Sequence, residues 1–517
     1  MQLGFVIDHS RCIGCHACTV ACKSENDVPL GSFRTWVKYT EEGQFPAVKR
    51  NFSVLRCNQC TDAPCMTICP TGALSKRDDG IVDVDPKACI GCKSCMHACP
   101  YDALYINDDT GTAEKCHFCA HRTERGLAPA CAVVCPTEAI IPGDFDDPNS
   151  RVSQMKATGE LTARKVEAGT KPNVLYREAA AVGLDPGRTN ISEGFIWSNA
   201  PTGERADAQA WEALEARAHA DSTNGQARTT YDVPREQLWG WKITGYLFTK
   251  SISAGAVPAA ALAFLLTGQT AVASRALFGL PTLVALAFLA LTSLLLITDL
   301  KRPERFWYIL ARPNWDSWLA KGTLALTAYG GLLSLGALGW LLGLDNPIVA
   351  SAYSLLGLLT GAATAGYTAF LFAQAKGRVL WMKRLYAPHL LAQGIVGGGA
   401  AVLMAAPVLD WNPEAIGGLR TVLALGLGVH FALTLAEPKL APKGRESEYA
   451  RASHLLTHGP YAVHHWALGI GAGVVLPVVL LVLGPASVWP VAAAIALAGL
   501  WVEEDLFVRA GQALPIS

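Results

Sequence analysis

The chain has 517 residues, 51% of them hydrophobic and 17% charged, and its 43 lysines and arginines equal its 43 aspartates and glutamates in number. That composition excludes a disordered protein, a collagen-like chain and a basic nucleic-acid binder. The neutrality is a cancellation between unlike parts: residues 1–237 carry a net −6 and hold all 16 cysteines, between Cys12 and Cys135, whereas residues 238–517 carry +6 and hold none.

In chain order the first elements are four cysteine quartets. Cys12, Cys15, Cys18 and Cys22 have gaps of two, two and three residues, and Cys89, Cys92, Cys95 and Cys99 repeat that spacing. Cys57, Cys60, Cys65 and Cys69 have gaps of two, four and three, and Cys116, Cys119, Cys131 and Cys135 of two, eleven and three. Proline follows Cys69, Cys99 and Cys135. With no secretory signal ahead of them, cysteines so regularly spaced point to metal ligation rather than to eight disulfides. Thiolates two residues apart wrap one corner of an iron–sulfur cubane, and a fourth cysteine, three residues on and before proline, reaches the neighbouring cluster. Zinc ribbons share the C-x2-C pair but not the whole run. The expectation is four [4Fe–4S] clusters in an α+β ferredoxin-like double-dicluster domain over residues 1–183. With every iron fully ligated by cysteine, such a domain carries single electrons and has no position for a substrate.

Residues 184–237 read as a polar linker, with an extended tether over Leu184–Asp232 and one short helix around Ala206–Ala220. Lys171-Pro172-Asn173-Val174 is expected to pack still on the first domain. From Trp239 onward eight apolar runs follow, at 239–266, 276–298, 317–343, 347–374, 386–407, 415–436, 461–484 and 487–508. Each is near the roughly 20 residues that cross a hydrocarbon layer, and Leu277–Leu300 has no polar face such as a soluble helix keeps. Residues 238–517 are thus expected to be an all-α membrane domain of eight transmembrane helices.

The quartets, together with Gly143-Asp144-Phe145-Asp146-Asp147-Pro148 and Lys171-Pro172-Asn173, make residues 1–180 resemble the four-cluster iron–sulfur subunit of the dimethyl sulfoxide and polysulfide reductase group of molybdoenzymes. The resemblance implies that quartets pair first with fourth and second with third. Cys12, Cys15 and Cys18 would then share a cluster with Cys135, and Cys116, Cys119 and Cys131 one with Cys22. Cys57, Cys60 and Cys65 would go with Cys99, and Cys89, Cys92 and Cys95 with Cys69. The second half resembles NrfD-type, or polysulfide reductase C-type, quinone-binding subunits. That likeness rests on Asp299-Leu300-Lys301-Arg302-Pro303-Glu304-Arg305-Phe306, Trp239-Gly240-Trp241, Ala254-Gly255, Gly366-Tyr367-Thr368 and Ala510-Gly511-Gln512. Such subunits are usually separate chains, so this sequence reads as a fusion.

A quinone site needs a donor to each carbonyl and a proton route, which makes ionisable groups near one membrane face the candidates. These are Lys242, Tyr246 and Lys250 in the first run, Tyr367 and Gln374 in the fourth, and Asp299, His389 and His430 near the same face. Lys242 as a snorkelling lysine and Asp299 as a partner of Arg302 or Arg305 are competing readings. His389, His430, His464 and His465 raise the alternative of a b-type haem, against the resemblance to haem-free subunits.

The loops after the second, fourth and sixth runs carry twelve lysines and arginines, against Arg275 and Arg420 in the opposite loops. By the positive-inside rule the iron–sulfur domain lies in the cytoplasm, on the inner membrane of a bacterium or archaeon. No twin-arginine pattern opens the sequence, which agrees. The expected function is electron relay between a separate molybdopterin-containing catalytic subunit and membrane quinone, with sulfite oxidation as the substrate reaction. The alternative is an electron-input and quinone module of a molybdenum-free complex, linked to a cytochrome or hydrogenase and able to translocate ions.

Overall fold

The computed structural model describes residues 1–44, 46–189, 227–233, 237–268, 273–407 and 413–517. The helix expected around Ala206–Ala220 lies outside the described residues. The chain divides into two compact units, one of Met1–Glu236 with Lys376–Arg378 and Leu514–Ser517, the other of Gln237–Ala375 with Val379–Ala513.

The elements of the first unit are β1 (Leu3–Asp8), α1 (Ala17–Glu25), β2 (Thr35–Gln44), β3 (Ala47–Arg56), α2 (Pro64–Ile68), β4 (Leu74–Lys76), β5 (Val82–Val84), α3 (Ser94–Ala98), β6 (Leu104–Asn107), β7 (Thr112–Lys115), α4 (Ala120–Thr123), α5 (Ala130–Val133), β8 (Ile140–Asp144), α6 (Arg151–Ala157), β9 (Leu161–Thr162), β10 (Val174–Arg177), α7 (Ala181–Leu184) and β11 (Arg228–Tyr231). Phe5, Val6 and Ile7 are all fully buried, the continuous apolar run of a strand covered on both faces. β1 accordingly lies inside a four-stranded sheet of order β8-β1-β10-β9, antiparallel to β8 and parallel to β10. Asn173 secures the entry to β10: its side chain donates to Gln59 O at 2.8 Å and its carbonyl accepts from Phe5 N at 2.9 Å.

β2 and β3 form a ten-pair hairpin, and β11 adds to its free edge against β2. The last residues of the stretch read as a tether are therefore a strand. Arg228 fixes it by donating Nη2 to Glu41 at 2.8 Å, and the Tyr231 ring meets His16 edge-on. β4–β5 and β6–β7 are separate short hairpins.

In the second unit the helices are α8 (Trp241–Thr267), α9 (Ala273–Phe278), α10 (Leu280–Asp299), α11 (Tyr308–Ala311), α12 (Trp318–Leu341), α13 (Pro347–Gln374), α14 (Tyr386–Ala405), α15 (Pro413–Ala436), α16 (Glu446–Thr457), a π-helical run His464–Val475 continuing into α17 (Leu476–Leu483), and α18 (Trp489–Ala513). Among the described residues seven helices are long and apolar enough to cross a membrane: α8, Ala276–Asp299, α12, α13, α14, Pro413–Lys439 and His464–Leu483. The eighth expected run does form a 25-residue helix, α18, but it is not one of the seven. Glu503, Glu504, Asp505 and Arg509 crowd its second half and leave too short an apolar stretch.

α8 is the hub of this unit. Its apolar window is 83% buried, the highest share of the seven, and small residues let its neighbours approach closely. A Cβ on Gly255 would fall 1.6 Å from Gly394 O, and one on Gly398 would fall 2.0 Å from the Gly255 carbonyl carbon, so α8 and α14 touch backbone to backbone.

Candidate functional site

Each cysteine quartet is built the same way. The residue just before the second cysteine is in the left-handed region in all four: Gly14 at φ 72°, Gln59 at 43°, Gly91 at 68° and Phe118 at 62°. That reversal curls the backbone so that successive N–H groups face the enclosed space, a concavity suited to negative charge. A short helix then brings the later cysteines onto one face, four residues apart: Cys18 and Cys22 in α1, Cys65 and Cys69 at α2, Cys95 and Cys99 at α3, Cys131 and Cys135 at α5. Cys69 and Cys99 sit at C-caps with extended backbone, where the following proline forbids another turn. Cys22 has no such proline and α1 runs to nine residues.

None of the sixteen cysteines is in a disulfide. Their thiols act on one another electrostatically in sets that cross the quartets. Cys135 and Cys15 act on Cys12; Cys116, Cys131 and Cys119 act on Cys22; Cys99, Cys57 and Cys60 act on Cys65; Cys69 and Cys89 act on Cys92 and Cys95. Cys69, Cys89, Cys92 and Cys95 line one cavity, closed by apolar side chains including Leu74, Val84 and Ile90. Burial first pushes Cys18 and Cys99 up to about 11 and Cys92 to about 12; Cys131 and Cys12 add to it at Cys18 against Arg56, Cys57 at Cys99 and Cys69 at Cys92. As free thiols they are neutral at pH 7, and only a bound cation draws the thiolates out. A four-thiol cavity with apolar walls fits an iron–sulfur cubane.

Donors and cations surround the sulfurs. Ala113 N lies 3.4 Å from Cys89 Sγ and Ala139 N 3.2 Å from Cys135 Sγ. The Asn26 amide reaches Cys22 Sγ at 3.7 Å and Cys119 Sγ at 3.8 Å. Arg56, fully buried, donates Nη1 to Cys131 Sγ at 3.2 Å with its guanidinium 4.4 Å from the Phe5 ring centre. Burial opposes its charge, but Cys131, Cys116 and Cys18 outweigh burial and raise it. Lys115, likewise buried, faces Cys57, Cys65 and Cys116 and donates to Cys116 O at 3.0 Å. The spacing gave no sign of either cation.

In the second unit three of the eight quinone candidates, Tyr246, Lys250 and Tyr367, converge. The Tyr246 and Tyr367 hydroxyls lie 2.5 Å apart, Tyr246 Oη is 2.9 Å from Thr368 Oγ1, and Lys250 Nζ donates to Thr368 Oγ1 at 2.7 Å and Ala365 O at 3.2 Å. All four residues are buried. A Cβ on Gly322 of α12 would fall 2.1 Å from the Tyr367 ring, so glycine makes the ring's space. The Lys250 ammonium donates to Thr368 Oγ1, and each hydroxyl of Thr368, Tyr246 and Tyr367 has one hydrogen and two lone pairs. Either partner can donate in the Thr368–Tyr246 and Tyr246–Tyr367 contacts, so in one of the arrangements the Tyr367 hydrogen is directed to an outside acceptor.

The other candidates are elsewhere. Lys242 donates to Thr298 O at 2.6 Å, at the end of α10 that Asp299 closes. Gln374 accepts from Trp318 N at 3.0 Å and donates to Asp316 O at 2.7 Å, fastening the start of α12. His389 Nδ1 lies 2.6 Å from Glu437 Oε1, and its ring meets that of His430 at 4.7 Å, nearly perpendicular. His430 Nε2 is 2.5 Å from Glu503 Oε2. Both histidines thus have carboxylate partners. Glu437, Glu503 and Glu504 were missed from the sequence, although ionisable groups inside a membrane helix are functional until explained; Thr368 figured there only as part of the Gly366-Tyr367-Thr368 motif.

These features define a class: an electron-transfer protein that binds iron–sulfur clusters in an N-terminal unit and continues, in the same polypeptide, into a multi-pass helical membrane unit. Residues 230–515, more than half of the chain, match the family model described as polysulphide reductase, NrfD, and the chain belongs to that family. Residues 48–145 match the 4Fe-4S dicluster domain. The first part is also 46% identical over 188 residues to a tetrathionate reductase subunit of Salmonella typhimurium, covering 36% of this chain and 73% of that protein. It is 46% identical over 181 residues to protein NrfC of Escherichia coli, covering 34% and 80%, and 40% identical over 176 residues to a polysulfide reductase chain of Wolinella succinogenes, covering 34% and 92%. The chain is a fusion of an iron–sulfur subunit with an NrfD-like membrane subunit.

Proposed function

We propose that this protein relays electrons between a separate molybdopterin-containing catalytic subunit and membrane quinone, through four [4Fe–4S] clusters. The observation that carries the quinone end is the buried cluster of Lys250, Thr368, Tyr246 and Tyr367, an ammonium donor and three linked hydroxyls whose hydrogens can turn toward a carbonyl oxygen. Bound to the sixteen cysteines, the clusters would supply one-electron transfer. Cys12, Cys15, Cys18 and Cys135 would hold one, Cys22, Cys116, Cys119 and Cys131 the second, Cys57, Cys60, Cys65 and Cys99 the third, and Cys69, Cys89, Cys92 and Cys95 the fourth. Arg56 and Lys115 offset the negative charge that accompanies reduction.

The relatives are by name components of tetrathionate and polysulfide reductases, which favours a catalytic partner protein. α18 is read as the eighth span, its carboxylates turned into the bundle, with Glu504 only 1% exposed. The excess of lysine and arginine in the loops after α10, α13 and α15 favours the cytoplasmic side of a bacterial or archaeal inner membrane for the iron–sulfur unit. Sulfite as the substrate stays a proposal with its own assay, sulfite-dependent quinone reduction by membranes containing the complex.

The test of the relay uses the full chain with its clusters reduced by dithionite and then mixed with a short-chain benzoquinone or naphthoquinone. Reoxidation of the clusters is expected, and Tyr367→Phe should slow it by about 100-fold, the scale of one positioned proton donor, without loss of iron. A wild-type chain that holds its clusters and is not reoxidised by either quinone refutes the function.

A further inference from the structure

We infer that the buried ionisable side chains of α14, α15 and α18 form a proton relay that feeds the Tyr246–Tyr367 pair from the helix ends where Lys383 and Glu437 lie. The relay presupposes the quinone reading above and names its proton route.

The outer end is saturated. Glu437 Oε2 accepts from Lys383 Nζ at 2.6 Å and Oε1 faces His389 Nδ1 at 2.6 Å, while Lys383 is half-buried beside the exposed Arg384. From there the contacts run inward. One ligand atom each of His389, His430 and Glu503 lies within 4.8 Å of the others, and His430 Nε2 meets Glu503 Oε2 at 2.5 Å. Glu504, the next residue, is 1% exposed on α18, which meets α8 where Thr244 Oγ1 donates to Asp505 Oδ1 at 3.3 Å, and its charge is felt there by Lys250 and Tyr246. Lys250 and Tyr246 belong to the hydroxyl chain already described. Lys250 is nine residues into α8, about 13 Å along the helix, so the route enters from the helix ends and returns to the tyrosines within one half of the bundle.

A purely structural charge network would saturate its atoms as Glu437 does, because a buried polar atom left bare costs about 1–3 kcal/mol. Here Tyr386 Oη, His430 Nδ1, Glu503 Oε1 and Glu504 Oε1 are all buried with no partner among the described residues. These four atoms lie along the inner half of the route, and internal waters with 2–4 polar partners fill such positions. Imidazole, carboxyl, water and hydroxyl each accept a proton on one side and release one on the other. His465 is the further titratable group, acted on by Glu503, His430 and Glu437 from the seventh span.

The balance is two electrons from the reduced clusters and two protons per quinone, giving quinol. The proton for the quinone oxygen beside Tyr367 passes from its hydroxyl, Tyr246 and Thr368 restore it, and the relay draws its replacement from water at the Lys383–Glu437 end, while the second proton reaches the opposite oxygen from solvent. In quinol oxidation every transfer runs in reverse.

The experiment follows reoxidation of dithionite-reduced full-length protein by a short-chain benzoquinone in H2O and in D2O. Glu504→Gln and His430→Phe are expected to slow it at least tenfold and to raise the solvent isotope effect, with iron content and the quinone KM unchanged. Glu504→Asp should recover half or more of the rate. Two results overturn the relay: Glu504→Gln and His430→Phe reoxidised at the wild-type rate with an unaltered isotope effect, or a stoichiometric non-iron metal lost on His430→Phe, since ligation would occupy the imidazole lone pairs. Failure of the wild-type protein to react with quinone overturns the function and not the relay alone.

Discussion

Replacing Arg56 by glutamine is expected to lower the reduction potential of the cluster assigned to Cys22, Cys116, Cys119 and Cys131. Among the described residues no carboxylate lies within 4 Å of Arg56, and its Nε and Nη2 find no partner, so the cysteine sulfurs are its counter-charge. Reduction adds one negative charge, spread over a cubane. With that charge about 6 Å from the guanidinium and an effective dielectric of about 20, the attraction is about 3 kcal/mol, or about 120 mV for one electron at 59 mV per 1.4 kcal/mol. Removing the cation makes the electron harder to add, so the shift is toward negative potential. Cys18, assigned to the neighbouring cluster, also feels Arg56, and that cluster should shift the same way by less. The assay is a redox titration of the full chain followed by electron paramagnetic resonance, with Arg56→Lys as the charge-preserving control. A glutamine variant that keeps all its iron and whose potentials stay within about 20 mV of wild type, or rise, refutes the electrostatic reasoning.

Two further predictions concern stability. Burial, opposed by Asp8 and reinforced by Arg164, holds His9 down to about 4 from its usual 6.5, so the folded chain keeps it neutral while the unfolded chain takes up a proton below pH 6.5. Stability is therefore full above pH 6.5 and falls as the pH drops toward 4, by about 2 kcal/mol at pH 5. His9→Asn should flatten that slope in urea unfolding of the full chain followed by cluster absorbance, and an identical slope contradicts the assignment. Gly511→Ala would set a Cβ 1.9 Å from Nε1 of the fully buried Trp381, which donates to Phe507 O at 3.1 Å and stacks on Trp239. An overpacking cost of about 1–3 kcal/mol is expected, seen as a lower thermal midpoint in detergent, and an unchanged midpoint means the indole moves aside freely.

What was legible in the sequence was what local rules write. The quartet spacing marks both the turns and the short helices, because C-x2-C and C-x3-C-P are themselves turn and helix-end geometries. Apolar length placed the long helices closely: the run 317–343 is Trp318–Leu341 and 347–374 is Pro347–Gln374. Pairing was not legible, since β1 and β10 are joined across 165 intervening residues, and nothing in the polar stretch before Trp239 marks Arg228–Tyr231 as an edge strand. Two residues of the family-like motifs turned out to be fastenings. The Gln512 side chain accepts from Leu238 N and Trp239 N and donates to Trp239 O at 2.8 Å, which pins the entry to α8. Glu503 and Glu504 were passed over for the opposite reason. Carboxylates near the end of an apolar run read as the end of the run, and their partners lie on helices more than 70 residues away.

Lys242, Tyr246 and Lys250 separate what spacing decides from what it leaves open. Four residues apart along α8, they lie on one helix face, and the sequence offers all three as ionisable groups near one membrane face, Lys242 also as a snorkelling lysine. In the structure the three side chains part company along that face. Lys242 is in the first turn of α8, where a flexible ammonium reaches the bare carbonyls at the end of a neighbouring helix, here Thr298 O. One and two turns deeper, Tyr246 and Lys250 instead meet the hydroxyls of Tyr367 and Thr368 on α13. Depth along the face depends on where α13 crosses, and that is set by contacts such as the Val257 side chain 2.7 Å from a Cβ built on Gly357. A donor assignment in a helical membrane unit therefore needs the crossing point as well as the period, and only the period is written in α8 itself.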